Sequence, residues 1–418
     1  MSFLRSLFSG VSGLRNQQTM MDVIGNNIAN INTYGFKAGR ATFSELYAQT
    51  LRGGTQPTLT NGGSNPMQIG LGVAINSIDN LFTQGAVETT GVDTDMALQG
   101  TGFFIVKQGG RYLYTRVGTF KTDSDGKLVN PGTGAILQGK LADALGNIPS
   151  GTALQDLQIQ PDTKSPANAT TMVKFAGNLD SSAAVGTTEK TSATVYDSLG
   201  NLTTMTLEFT KTADNAWSWT ASVPSPASTT SSGTVTFNAT DGTLNSVTGS
   251  PVVITPGTGA PDITMDIDLG TPTATPPGVF AGLTQTSGES AVSMRDQDGY
   301  TSGSLTKLTI ESSGMIRGTF SNGIQLALGQ VMVAEFSNPG GLLKSGDNCW
   351  DISGNSGTPA IVDPGTTTTV LAGSLEQSNV DLADEFTKMI TAQRGFQANA
   401  RVITTSDEIL QEVVNLKR

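Results

Sequence analysis

Four pairs of carboxylates stand two residues apart in this chain: Asp93 with Asp95, Asp123 with Asp125, Asp266 with Asp268, and Asp296 with Asp298. On a strand that spacing puts both carboxylates on one face, an arrangement an acid/base pair could use. Asp123-Ser124-Asp125-Gly126 and Asp296-Gln297-Asp298-Gly299, however, end in Asp-Gly between strand-like runs, which signals a hairpin turn. Neither string closes as a calcium loop, because the sixth residue after each glycine is Gly132 or Leu305 where a glutamate is needed. The pairs Gly100/Gly102 and Gly132/Gly134 lack the context of a phosphate loop and read as turns. Histidine is absent, which removes the commonest general base, the commonest transition-metal ligand and any ordinary serine triad. Cys349 is the only cysteine, so an internal disulfide and a thiolate zinc cluster are both excluded, and its place beside Trp350 suits a packed side chain. No catalytic, cofactor-binding or metal-ligating residue is expected, and the chain reads as a non-enzyme.

The net charge of −11 argues against nucleic acid, whose affinity comes largely from Lys and Arg on phosphates, and against an anionic membrane surface. No segment reaches the ~20 apolar residues of a membrane span. The N-terminal stretch lacks an unbroken apolar run before Arg15 and Asn16, so export without a cleaved signal is compatible with it. Only 37% of the chain is hydrophobic and 14% charged, with 50 glycines among abundant Thr, Ser and Asn, a composition suited to many short strands and tight turns.

The elements implied by these patterns fall into a β-rich middle between two helices. Phe103 to Val106 reads as a buried strand, Gly109-Gly110 as a turn and Tyr112 to Tyr114 as the return. Strand-like runs recur at Thr204 to Phe209, Trp217 to Val223, Leu305 to Ile310, Met315 to Phe320 and Leu328 to Phe336. The expected fold is mainly β with α-helical termini: paired, coiled-coil-like terminal helices and two nested β domains, the outer inserted into the inner. The borders expected are 1–30 with 375–418 for the helices, 31–72 for an extended linker, 73–145 with 285–374 for the inner β domain, and 146–284 for the outer. Insertion costs little when a domain's termini lie close together.

Spacings of three and four place Leu7, Val11, Leu14 and Met21 on one seam, which Ile24, Ile28 and Ile31 continue after a slip of phase. A longer seam runs through Leu382, Phe386, Met389, Gln393, Phe396, Ala400, Ile403, Asp407, Leu410, Val414 and Lys417. A helix of that length spans ~55 Å, more than a small β domain covers, and Gln393, Asp407 and Lys417 interrupt it as register-setting residues do. Both seams are therefore expected to pack between subunits.

Particular strings carry a resemblance. Ser12-Gly13-Leu14, Asp22 to Asn30 with Asn26, Asn27 and Asn30, and Thr33-Tyr34-Gly35-Phe36-Lys37 resemble the N-terminal signature of bacterial flagellar rod, hook and junction proteins. Leu375 to Leu382 with Ser378 and Asn379, and Met389 to Ala400 with Gln393, Arg394 and Asn399, resemble its C-terminal partner. Val195 to Asn201, Asp298-Gly299-Tyr300, Phe320 to Gly323, and Ala334 to Phe336 with Asn338 to Leu342 look like the hook branch in particular.

The resemblance implies a curved, flexible tube that carries motor torque to the filament as a universal joint. Terminal helices would line a central export channel and β domains would form the outer layers. It further implies export through the flagellar type III apparatus, termini disordered until polymerisation, and partnership with the distal rod, the hook cap and the hook-filament junction proteins. Gln68 to Val73 looks like a rod-type segment, and such an insertion contributes to stiffness in rods. A distal rod protein and a secreted β-rich adhesin or surface-layer protein are the alternative readings.

Overall fold

The computed structural model describes residues 2–57, 62–160, 162–229, 231–270 and 282–415. Lys417, the last position of the expected C-terminal seam, lies outside them, as do 58–61 of the expected linker. The described chain is mainly β with one long helix near each end, α1 (Ser2–Ala29) and α2 (Leu382–Asn415). No helix among the described residues is long and apolar enough to cross a membrane. The chain divides into two compact units: 1–160 with 308–317 and 327–418, and 161–307 with 318–326.

The first unit contains both helices and a β core. Phe103–Gln108 and Arg111–Thr115 form an antiparallel hairpin turning at Gly109 and Gly110, as their sequence predicts. Around it Phe103, Ile105, Tyr114, Met332, Phe336 and Trp350 are buried together, with Tyr114 and Phe336 packed edge to face at 4.8 Å. Cys349 is buried in the strand next to Trp350, and burial pushes its thiol up. The chain past Leu145 does not yet open a new domain, because Gln155–Asp156 pairs with Ile136–Leu141 and Leu157 and Ile159 are buried. The border expected at 146 thus falls about fifteen residues early.

The stretch expected as an extended linker is instead a β ribbon. β1 (Gly39–Glu45) pairs antiparallel with β4 (Val73–Asn80), and β2 (Ala48–Arg52) with β3 (Met67–Gly70). A bridge between Thr55 and Ser64 continues the pairing outward. An isolated two-stranded ribbon is marginal in water. This one is backed by α1 at its base, where the Val73 amide donates to Ser12 Oγ at 3.3 Å and the Asn27 side chain holds Gly39. The low-apolar composition of 53–66 hid the ribbon, since its strands are joined through the backbone and bury little.

The second unit is built from two sheets. One has five antiparallel strands, Thr188–Tyr196, Leu202–Ala213, Ala216–Ser222, Ser232–Phe237 and Leu244–Val247. The other is mixed: Met172–Asn178 runs parallel to Ile263–Asp268 and antiparallel to Ala291–Gln297. Their alternating apolar faces share one core containing the fully buried Trp217, Trp219, Phe175, Phe209 and Val252. Ala291–Gln297 belongs to this core, so the border expected at 284 also moves later.

The paired carboxylates do the work of turns and caps. Asp123 Oδ1 accepts from the amides of Asp125 and Lys127 at 3.0 and 2.7 Å, and Asp298 Oδ1 accepts from those of Thr171 and Met172 at 2.8 and 3.0 Å. Asp268 takes the Gly270 amide, Asp266 the Ser250 hydroxyl and Asp95 the Thr90 hydroxyl.

Candidate assembly site at the paired termini

α1 and α2 run antiparallel, and most of the residues that join them are small or polar. Asn27 Nδ2 donates to Glu385 Oε2 at 3.1 Å near one end, and the hydroxyls of Ser6 and Ser406 lie 3.4 Å apart near the other. Between them Gly13 faces Asn399, Gly10 faces Ile403 and Gly395 faces Gln17 so closely that a Cβ at any of the three glycines would come within 3.1 Å of its neighbour. Glycine here lets two helix backbones approach. On α2 the buried positions are Glu385, Ala392 and Ser406.

The expected apolar seam on α2 lies roughly a quarter turn away from that face. Leu382, Phe386, Phe396 and Val414 are exposed, and Gln393 and Asp407 lie open among them. Met389, Ala400, Ile403 and Leu410 are half-buried, Ile403 where it meets Gly10. On α1, Ile24 is buried, Val11 is exposed, and Leu7, Leu14, Met21 and Ile28 are half-buried. The helices therefore pair within the chain through one face and leave Leu382, Phe386, Phe396 and Val414 of the apolar seam uncovered.

Both helices are tied to the β core by a clasp of buried charge. Lys37 Nζ donates to Glu376 Oε1 at 2.6 Å and to the Thr83 carbonyl at 2.8 Å. Arg116 Nη1 reaches Glu376 Oε2 at 3.4 Å, Nη2 donates to the Gly100 carbonyl at 2.6 Å, and the guanidinium lies 5.0 Å over the Phe103 ring. All three side chains are at most 1% exposed. Burial pushes the Lys37 ammonium below its ordinary range, with Glu376 opposing that shift. The Gly85 amide donates to Glu376 Oε1 and the Gly35 amide to the Glu376 carbonyl.

Gly35 adopts φ +68°, and a Cβ there would strike the backbone of Arg116 and Val117, so no other residue fits without displacing the clasp. Phe36 is buried against the Lys344 side chain, whose ammonium lies 5.4 Å over its ring. Asn379 accepts the Ala38 amide at 2.8 Å and donates to the carbonyls of Leu81 and Thr83. Asn27 holds Gly39 at both its amide and its carbonyl while reaching Glu385.

The motif residues thus separate by place. Asn27, Gly35, Phe36, Lys37 and Asn379 converge on the junction between helices and core. Asn26 and Asn30 bond each other in the last turn of α1, and Ser378 accepts the Val380 amide at 3.4 Å ahead of α2. Asn399 packs on Gly13, whereas Gln393 and Arg394 are exposed on α2. Glu376, Arg116 and Glu385 complete the network and were not singled out by sequence. Arg116 is far from both motifs along the chain, and a glutamate three residues before Asn379 carries no signal of its own.

The chain is similar to known proteins along its whole length. Its segments match families described as flagella basal body rod protein (7–37), flagellar hook protein FlgE/F/G D1 domain (97–172), flagellar basal body protein FlaE D2 domain (162–300) and flagellar basal body rod FlgEFG protein C-terminal (371–416). It is 40% identical to the flagellar hook protein FlgE of Borreliella burgdorferi over 99% of this chain and all of that one, and 36% identical to that of Salmonella typhimurium at the same coverage. The basal-body rod protein FlgG of Bacillus subtilis is 30% identical over 99% of this chain and all of its own. Among solved structures, the hook protein FlgE2 of Helicobacter pylori shares the fold at a TM-score of 0.53, with 15% identity over 68% of this chain and 98% of that one. With identities of this size spanning both terminal motifs and everything between, the chain belongs to the bacterial flagellar hook protein family.

Proposed function

We propose that the chain is the structural subunit of a flagellar hook and that its terminal helices form the innermost wall of the tube. The observation that carries this reading is the apolar stripe of Leu382, Phe386, Phe396 and Val414. It stays exposed although α1 and α2 already pair, and exposed apolar surface of this extent marks an interaction face. A second copy stacked against it would bury the stripe together with Leu7, Leu14, Met21, Ile28, Met389, Ile403 and Leu410. Gln393 and Asp407 would then be register-setting or channel-facing positions. In this reading the two β units make the outer layers of a curved, flexible shaft that carries motor torque to the filament, and the channel passes later subunits of the axial structure. Its partners beyond itself would be the distal rod, the hook cap, the hook-filament junction proteins and the flagellar type III export apparatus, which takes subunits without a cleaved signal.

Salt-induced polymerisation of the purified chain, viewed by negative-stain microscopy, tests the reading. Curved tubes are expected from the full chain, and a chain lacking residues 380–418 should form none. Straight tubes would favour a rod subunit, a reading supported by the likeness to the Bacillus subtilis rod protein. Function retained without the terminal helices would point to an adhesin or surface-layer protein instead.

A further inference from the structure

Beside α1, on the flank away from α2, a groove of about 460 Å³ opens between the helix and the ribbon. Phe8, Val11, Leu46, Leu71 and Val73 give it an apolar lining, and Arg5 and Arg15 add two cations. Phe8 is 69% exposed and Leu46 46%, so nothing among the described residues fills the space. Asn16 also lines the groove, and although it is only 6% exposed its Nδ2 has no hydrogen-bond partner among the described residues. An apolar trough with a basic rim suits an amphipathic helix that carries carboxylates beside its apolar residues.

Of the two α-helices among the described residues, only α2 offers such a face. Val402 and Ile409, seven residues apart on one side, are 42% and 45% exposed, and Glu408 and Glu412 follow on the adjoining strip. Among the described residues none of Arg5, Arg15, Glu408 and Glu412 forms an ion pair. The acids at the other end of α2 are engaged: Asp384 and Glu385 pair with Lys388, and Asp381 caps the first turn. The only acid in α1 is Asp22.

The geometry points to the groove as the seat for the Val402–Glu412 face of α2 from a second copy of this chain. Val402 and Ile409 lie on the apolar lining, and Glu408 and Glu412 meet Arg5 and Arg15. This contact rests on the self-assembly reading above but uses a different face of α2 from the Leu382–Val414 stripe, so each α2 would touch its own α1 and two further surfaces.

A charge swap in the full chain tests it, read as the critical concentration for salt-induced polymerisation. R5E/R15E and E408R/E412R should each raise that concentration about tenfold, as facing like charges repel. The four substitutions together should bring it back to within about threefold of the unaltered chain. Disulfide trapping then fixes the place: in a Cys349→Ala background, V11C chains mixed with I409C chains should cross-link on assembly. If the unaltered chain does not polymerise, self-assembly itself fails. If it polymerises while either double variant assembles normally, the quadruple variant recovers nothing, or V11C cross-links to M67C on the ribbon rather than to I409C, the groove assignment is overturned and self-assembly stands.

Discussion

Replacing Glu376 by glutamine should destabilise the first unit far more than replacing Lys37 by methionine, although the two residues form one ion pair. The clasp holds two cations on one carboxylate, and all three side chains are buried. Removing Lys37 leaves Arg116 and Glu376 balanced, at a cost of about 1–2 kcal/mol for the lost bonds to Thr83 and Glu376. Removing the carboxylate leaves two buried cations, a defect that costs about 3–5 kcal/mol where one partner of a buried pair is deleted. Lys37 limits that cost by giving up its proton. The neutral amine then gives a sign for the pH dependence. Above the depressed folded-state value and below 10.5 the unfolded chain binds a proton that the folded variant does not, so the stability of Glu376→Gln must rise with pH, by up to about 1.4 kcal/mol per unit. Urea unfolding followed by Trp350 fluorescence in a Trp217→Phe/Trp219→Phe background measures both effects on the first unit. Equal losses in the two variants, or a Glu376→Gln chain that gains no stability as the pH is raised toward 10.5, would refute the reasoning.

Two further outcomes follow from the units taken singly. Asp197 is buried, which alone would raise its pKa, but hydrogen bonds from Asn201, Thr258 and the Leu199 amide outweigh this and hold it below the ordinary 3.8. A depressed carboxylate contributes stability that is present above its unfolded value and lost as pH falls through the folded one, so the second unit should weaken below about pH 4. Asp197→Asn should lose about 1–2 kcal/mol at pH 7 and show a flatter acid limb in calorimetry. In assembled tubes, deleting residues 53–66 should make bending easier if the outer end of the ribbon touches neighbouring subunits, and unchanged bending stiffness would show that it does not.

What the sequence made legible depended on whether a feature is local. The 103–115 hairpin could be read because its apolar run, its Gly-Gly turn and its return are contiguous, and the two helices because their spacing repeats over many turns. The ribbon could not, since its two legs, which pair from Gly39 with Asn80 to Arg52 with Met67, are joined by backbone pairing that leaves Leu51, Met67 and Ile69 open to water. Helical periodicity located the apolar stripe but not the face on which the helices join. Such analysis weighs hydrophobicity, whereas closeness at Gly10, Gly13 and Gly395 comes from the absence of a side chain. The clasp was half visible. Gly35, Lys37 and Asn379 stand in strings that could be matched, yet the reason they occur together is Glu376, to which Arg116 is brought only by folding. A seam drawn from hydrophobic spacing therefore marks the surface a helix keeps for another subunit as readily as the one it buries at home. The small and polar positions between its apolar residues are where the helix's own chain should be sought.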